Sequence, residues 1–195
     1  MAVAASRLLP KLSLEHFNAF RDSRPSEERW ELIDGVPMMM PPPTIAHQII
    51  ARNLVRYLTD ALERQNREWL ATHEVGVQLP GDTLYHPEPD VIVIDAKIEA
   101  GQLYANTFYL VAEVLSECDN PGSIAAKVAF YQSHPANTCV LLIAQEKVAV
   151  EVIERAAPAR WSKRRLTKSE DFLTTASIGT VCTLADLYRG VPMPP

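Results

Sequence analysis

Pro89-Asp90-Val91-Ile92-Val93-Ile94 and Phe108-Tyr109-Leu110-Val111-Ala112-Glu113-Val114-Leu115 are the two stretches that decide the fold. Each is a short, almost wholly apolar run, too short to read as a helix. Runs of this kind form strands in the middle of a sheet with both faces covered. The covering elements lie on either side in the sequence. Thr44 can cap a helix to about Gln65, in which Ile50, Leu54, Leu58 and Leu62 recur every four residues. Arg52, Arg56, Asp60, Glu63 and Arg64 form its wet side. A second helix is predicted from about Pro121 to Ser133. Strands and helices in this order predict an α/β fold.

Further out, Ser13 can cap a short helix through about Arg21, with Leu14, Phe17 and Phe20 facing inward. Residues 22–29 read as a loop. Trp30 to Met40 reads as a hairpin turning at Asp34-Gly35, a pair that favours a type I′ turn. Alternation puts Trp30 and Leu32 on one face and Glu31 and Ile33 on the other. Trp69 to Leu79 is predicted as one strand, ended by Pro80-Gly81-Asp82. Thr138 to Ala144 and Val148 to Ile153 are predicted as a further strand pair, and Thr183 to Tyr188 as a short helix. Without repeat or linker, residues 1–195 read as a single domain.

Composition narrows the function. The chain has 195 residues, 47% hydrophobic and 22% charged, enough for a core without disulfide or metal staples. The net charge of −5 argues against a nonspecific basic nucleic-acid binder and leaves room for a local basic groove. Cys118, Cys139 and Cys182 are odd in number and widely spaced, and read as free thiols of a reducing cytoplasm. No apolar run approaches the ~18 residues of a membrane span. Met1 to Pro10 lacks the basic and apolar regions of a signal peptide, so a cytoplasmic protein is expected.

The chemically informative feature is acid inside apolar strands. Asp90 opens one run and Glu113 interrupts the other. A buried carboxylate must be paired, protonated, solvated at a strand end or bound to a cation. Two carboxylates on neighbouring strands make a hard oxygen site suited to Mg²⁺. The plain alternative is a strand-end Asp and a salt-bridged Glu. Lys127 shares a helical stripe with Ile124, Phe130 and Tyr131, so it reaches a carboxylate or phosphate, or else snorkels to water. His47 lies over Ile50, Ala51 and Leu54, facing a cleft or forming a hydrogen-bonded core edge. Glu31 is a site acid or half of a cross-strand ion pair. Arg155, Arg160, Lys163, Arg164, Arg165 and Lys168 meet no acidic residue within 155–168. With Trp161 among them they suit a phosphate backbone, or a solvated loop and a charge-protected edge strand. No nucleophile elbow, phosphate-cradling glycine loop, dinucleotide fingerprint or paired zinc-ligand spacing is present.

These residues, in this order, resemble one family. Trp30-Glu31-Leu32-Ile33-Asp34-Gly35 is similar to its opening hairpin, and His47 falls at the start of its long helix. Pro89-Asp90-Val91, Glu113-Val114-Leu115-Ser116, and Lys127 with Tyr131 are similar to its two strand motifs and its Lys-x-x-x-Tyr helix. Leu184-Ala185-Asp186-Leu187-Tyr188 is similar to its usual end. The family is the Uma-two group of restriction endonucleases, within the PD-(D/E)XK nuclease superfamily, and the resemblance runs over about residues 12–192. It implies a restriction-endonuclease-like core, with a mixed central sheet flanked by helices. It implies that Asp90 and Glu113 bind a divalent metal, with the Val114 carbonyl. The superfamily's lysine is expected two residues after Glu113, where Leu115 stands; Lys127 takes its place. Glu31 and His47 are the next site residues. Glu117-Cys118-Asp119 replaces the more usual Pro-Ser-Thr. The resulting expectation is a Mg²⁺-dependent endonuclease, with Mn²⁺ substituting, acting on DNA as a homodimer. The competing expectation is a nucleic-acid-binding or protein-interaction module that kept the fold and lost turnover.

Overall fold

The computed structural model describes residues 11–117 and 119–192, so the expectations on Met1 to Pro10 and on Cys118 lie outside the described residues. Along the chain run α1 (Leu14–Asp22), the hairpin β1 (Arg29–Ile33) and β2 (Val36–Met40), and α2 (Ile45–Arg64). Next come β3 (Trp69–Thr72), β4 (Gly76–Val77), β5 (Val91–Asp95), β6 (Tyr104–Ala105) and β7 (Leu110–Leu115). The remainder is α3 (Pro121–Ser133), β8 (Cys139–Ala144), β9 (Val150–Ala157), β10 (Arg160–Leu166), β11 (Phe172–Thr175), β12 (Gly179–Thr183) and α4 (Leu184–Leu187).

The central sheet has six strands in the order β10-β9-β8-β7-β5-β3. It is mixed: β7 and β8 are parallel, joined by α3, and the other neighbours are antiparallel. Alternation divides each central strand between two cores. Val91, Val93, Leu110, Ala112, Leu141, Val150 and Val152 meet Ile50, Leu54, Leu58 and Leu62 of α2. Burying each large member of that stripe is worth about 1.5–3 kcal/mol. Ile92, Val111, Val140 and Ile153 face the other way, toward Val128, Phe130 and Tyr131 of α3. The caps are those read from sequence: the Ser13 and Thr44 side chains accept from His16 N–H and His47 N–H. Asp34 and Gly35 both have positive φ, 50° and 74°, as the tight hairpin turn requires.

Three regions differ from the sequence reading. The strand expected over 69–79 is two short strands, β3 and β4, in different sheets. Glu74 between them takes φ 55°, which ends the ladder, and holds Arg29 at 2.8 Å. Residues 154–168 hold the expected edge strand and less loop than expected: β9 continues to Ala157, and Pro158-Ala159 turns it into β10 at the sheet edge. Burial of Val150, Val152 and Ile153 in β9 and the cross-strand ion pairs Lys163–Glu151 and Arg164–Glu154 hold this hairpin. The small pairs β11–β12 and β4–β6 carry too few alternating residues to be read in advance. Cys139 and Cys182 are buried free thiols. Among the described residues no helix is long and apolar enough to cross a membrane.

His86 yields a pH prediction. It pairs with Leu32 through backbone hydrogen bonds, and its ring packs between Phe17 and Tyr104. Its ring nitrogens have no partner among the described residues. Burial, aided by Arg21, lowers its pKa to about 4. The unfolded chain therefore binds the extra proton first, and the stability from neutral His86 is lost as pH falls from ~6.5 to about 4. Urea unfolding should show a loss approaching ~3 kcal/mol over that window, at ~1.36 kcal/mol per pKa unit. His86→Leu should flatten this limb; equal acid limbs in both proteins would disprove the assignment.

Candidate active site

The site is built where β5, β7 and α3 meet the first hairpin. Val91 stands opposite Ala112, so Asp90, just before β5, comes beside Glu113 of β7. The Asp90 Oδ2 accepts the Val114 N–H at 2.7 Å, which ties the strand end to β7. On α3, Lys127 and Tyr131 are four residues apart and share a helix face. Tyr131 Oη donates to Glu113 Oε1 at 2.7 Å, and Lys127 Nζ lies 2.9 Å from the same carboxylate. Lys127 also donates to both Glu31 oxygens at 3.1 Å. The Glu88 N–H donates to Glu31 Oε1 at 2.7 Å.

Glu31, Glu113 and Lys127 are 2%, 5% and 3% exposed, so the ammonium does not snorkel to water. Glu31 is likewise no cross-strand partner of the hairpin; its ion pair crosses to α3. Burial pushes Glu113 up, Lys127 opposes that push, Asp90 and Glu31 add to it, and Tyr131 opposes it. Burial works against the charge of Lys127, but Glu113 and Glu31 outweigh it and hold the ammonium well above its usual range.

His47 sits in the first turn of α2, where Thr44 accepts its backbone N–H at 3.1 Å. Its Nε2 is 3.0 Å from Asp90 Oδ1. Burial lowers the His47 pKa, but the bond and charge of Asp90, with Glu113 and Asp119 behind it, leave it raised. Asp90 and His47 are partly exposed and form the solvent-facing side of the cluster. Thr44 donates to Gln145 Oε1 at 2.9 Å, joining the start of α2 to the end of β8.

The structure thus gathers Glu31, His47, Asp90, Glu113, Val114 and Lys127 in one place. Tyr131 is the member whose position the sequence reading used without giving it a role. Its spacing of four from Lys127 was the available signal. Among the described residues, no three His, Cys, Asp or Glu side chains form a ready-made metal set. Asp90 and Glu113 supply oxygen only, as Mg²⁺ prefers, and a carbonyl and waters commonly complete such a shell. With all three carboxylates ionised, Glu31, Asp90 and Glu113 exceed the one lysine by two negative charges, which one dication balances. In donor chemistry and charge, the residues fit the ion.

The Uma2 family model, described as "Putative restriction endonuclease", matches residues 14–185. The chain belongs to the Uma2 family. This Uma2 chain also resembles a solved structure, a putative nuclease of DUF820 from Anabaena variabilis ATCC 29413, with a TM-score of 0.73 and 18% identity. The match covers 91% of this chain and 97% of that one, and shows a shared fold. No curated protein matches the Uma2 chain.

Proposed function

We propose that the chain is a Mg²⁺-dependent endonuclease that hydrolyses phosphodiester bonds of DNA, with Mn²⁺ able to substitute. The observation that carries this reading is the buried Glu31–Lys127–Glu113 set beside the strand-end carboxylate of Asp90. Membership of a family described as "Putative restriction endonuclease" supports it. Buried ion pairs of this kind contribute little to stability relative to well-packed apolar residues. A site function accounts for their presence better than the fold does.

Asp90, Glu113 and the Val114 carbonyl would hold the ion, which when bound supplies Lewis-acid polarisation of the phosphoryl group and a more acidic water. Lys127 opposes the burial that pushes Glu113 up and directs N–H donors to the charge that develops on phosphate. Glu31 grips the ammonium from the other side, fixing its position. His47 donates to Asp90 and orients it, on the side where phosphate arrives. Cutting both strands of a duplex takes two such sites, so a homodimer is the proposed cutting unit.

The test is supercoiled plasmid incubated with the protein and Mg²⁺ or Mn²⁺. Nicked and linear product should form, cease with chelator and resume when metal is restored. Binding that retards the plasmid without cutting, under both metals, would favour a noncatalytic binding module.

A further inference from the structure

The strand register carries part of the basic run onto the face that holds Glu113. Glu113 stands opposite Leu142, Leu142 opposite Glu151, and Glu151 opposite Arg165. Directly opposite residues share a sheet face, so all four lie on the α3 side. In the next row, Val111, Val140, Ile153 and Lys163 do the same. At ~4.8 Å per strand, Arg165 is about 14 Å from Glu113 across the sheet. The pairings also make β10 parallel to β7. The chain therefore leaves β10 through Thr167 and Lys168 at the end of the sheet where Asp90 sits.

The six cations of this run are not equivalent. Arg155 donates to the carbonyls of Gln132, His134, Asn137 and Pro158 and stacks on Trp161, so it is a structural clamp. Arg164 belongs to the other face, where it reaches Glu154 and the Thr174 carbonyl. Lys163 holds Glu151 at 2.9 Å in an exposed pair. Arg165 and Lys168 are exposed, and their side chains have no partner among the described residues. Charge along an exposed edge also prevents strand-to-strand aggregation. That role is served by either sign on either face. It does not account for a single sign over 155–168 in a chain of net charge −5.

We infer that β10 is a phosphate-binding edge for duplex DNA, with Arg165 and Lys168 as its principal contacts. This rests on the nuclease reading above and adds where the duplex lies. The ~14 Å span is close to the ~12 Å width of the B-DNA major groove. A duplex that presents one strand beside Glu113 can rest phosphates of its other strand on β10.

The experiment is fluorescence anisotropy of a short labelled duplex titrated with the full chain in chelator, which separates binding from cutting, at several salt concentrations. Arg165→Ala/Lys168→Ala should bind more weakly, with a salt slope shallower by ~1.8, from ~0.9 per lost phosphate contact. Both side chains are exposed and lack hydrogen-bond and ion-pair partners among the described residues, so folding should be unchanged by circular dichroism. The control is Lys11→Ala/Lys97→Ala, exposed cations away from β10, which should match wild type. An unchanged affinity and slope in the β10 variant, while wild type binds and cuts, would overturn the inference and leave the nuclease reading standing. A β10-dependent affinity in a protein that never cuts would uphold the inference and sink the nuclease reading. No duplex binding by wild type, or binding to single-stranded RNA alone, would overturn the inference.

Discussion

Lys127→Met is expected to unfold roughly 6–20 °C below wild type, and to cut plasmid roughly a hundred- to thousandfold more slowly. The thermal effect follows from what the ammonium touches. It is the cation between two buried carboxylates, Glu31 and Glu113. Removing one partner of a buried ion pair typically costs ~3–5 kcal/mol, because the remaining charge stays desolvated. For a chain of this size each kcal/mol moves the midpoint by ~2–4 °C. Methionine keeps the volume of the lysine stem. Volume is the smaller issue at a site this enclosed. The kinetic effect follows from losing a donor aimed at developing charge, worth ~2.7–4 kcal/mol. Lys127→Met/Glu31→Gln should recover part of the stability and none of the cleavage. A single variant as stable and as active as wild type would remove Lys127 from the site.

Asp90→Ala is expected to abolish Mn²⁺ binding in calorimetry, as is Glu113→Ala. Each change removes one of the two acidic oxygen donors proposed for the ion, leaving a single carboxylate and a neutral carbonyl. Asp90→Ala should also destabilise the metal-free protein, by ~1–3 kcal/mol, since the Val114 N–H loses its acceptor. Relief of repulsion between Asp90 and Glu113 acts in the opposite direction. Asp90 is engaged by His47 and by backbone, so its partners outweigh the repulsion. Unchanged Mn²⁺ affinity in both variants would place the ion elsewhere.

What was legible in the sequence was what periodicity and burial encode locally. The every-fourth stripe of α2 and the apolar runs of β5 and β7 gave the core of the sheet. The conflict of Asp90 and Glu113 with their apolar surroundings gave the acids. Lys127 was legible as an anomaly able to reach a carboxylate, but Glu31 as its partner was not, because the two meet across a separation of 96 residues. His47 and Asp90 are likewise joined only by the packing of α2 on the sheet. The β9–β10 hairpin was legible only as a possible charged edge strand, because that strand carries little apolar alternation. The break between β3 and β4 was hidden because positive φ at Glu74 has no sequence mark as plain as glycine.

The most direct test of metal-dependent phosphodiester hydrolysis at this site is a paired time course of plasmid cleavage in Mn²⁺ by wild type and Glu113→Gln. Glutamine keeps the size of the side chain and an acceptor oxygen, and removes the charge proposed to hold the ion. Cleavage by wild type that stops with chelator, and none by Glu113→Gln while circular dichroism shows both folded, is the predicted result. Equal cleavage by the two proteins, or no cleavage by wild type, would contradict it.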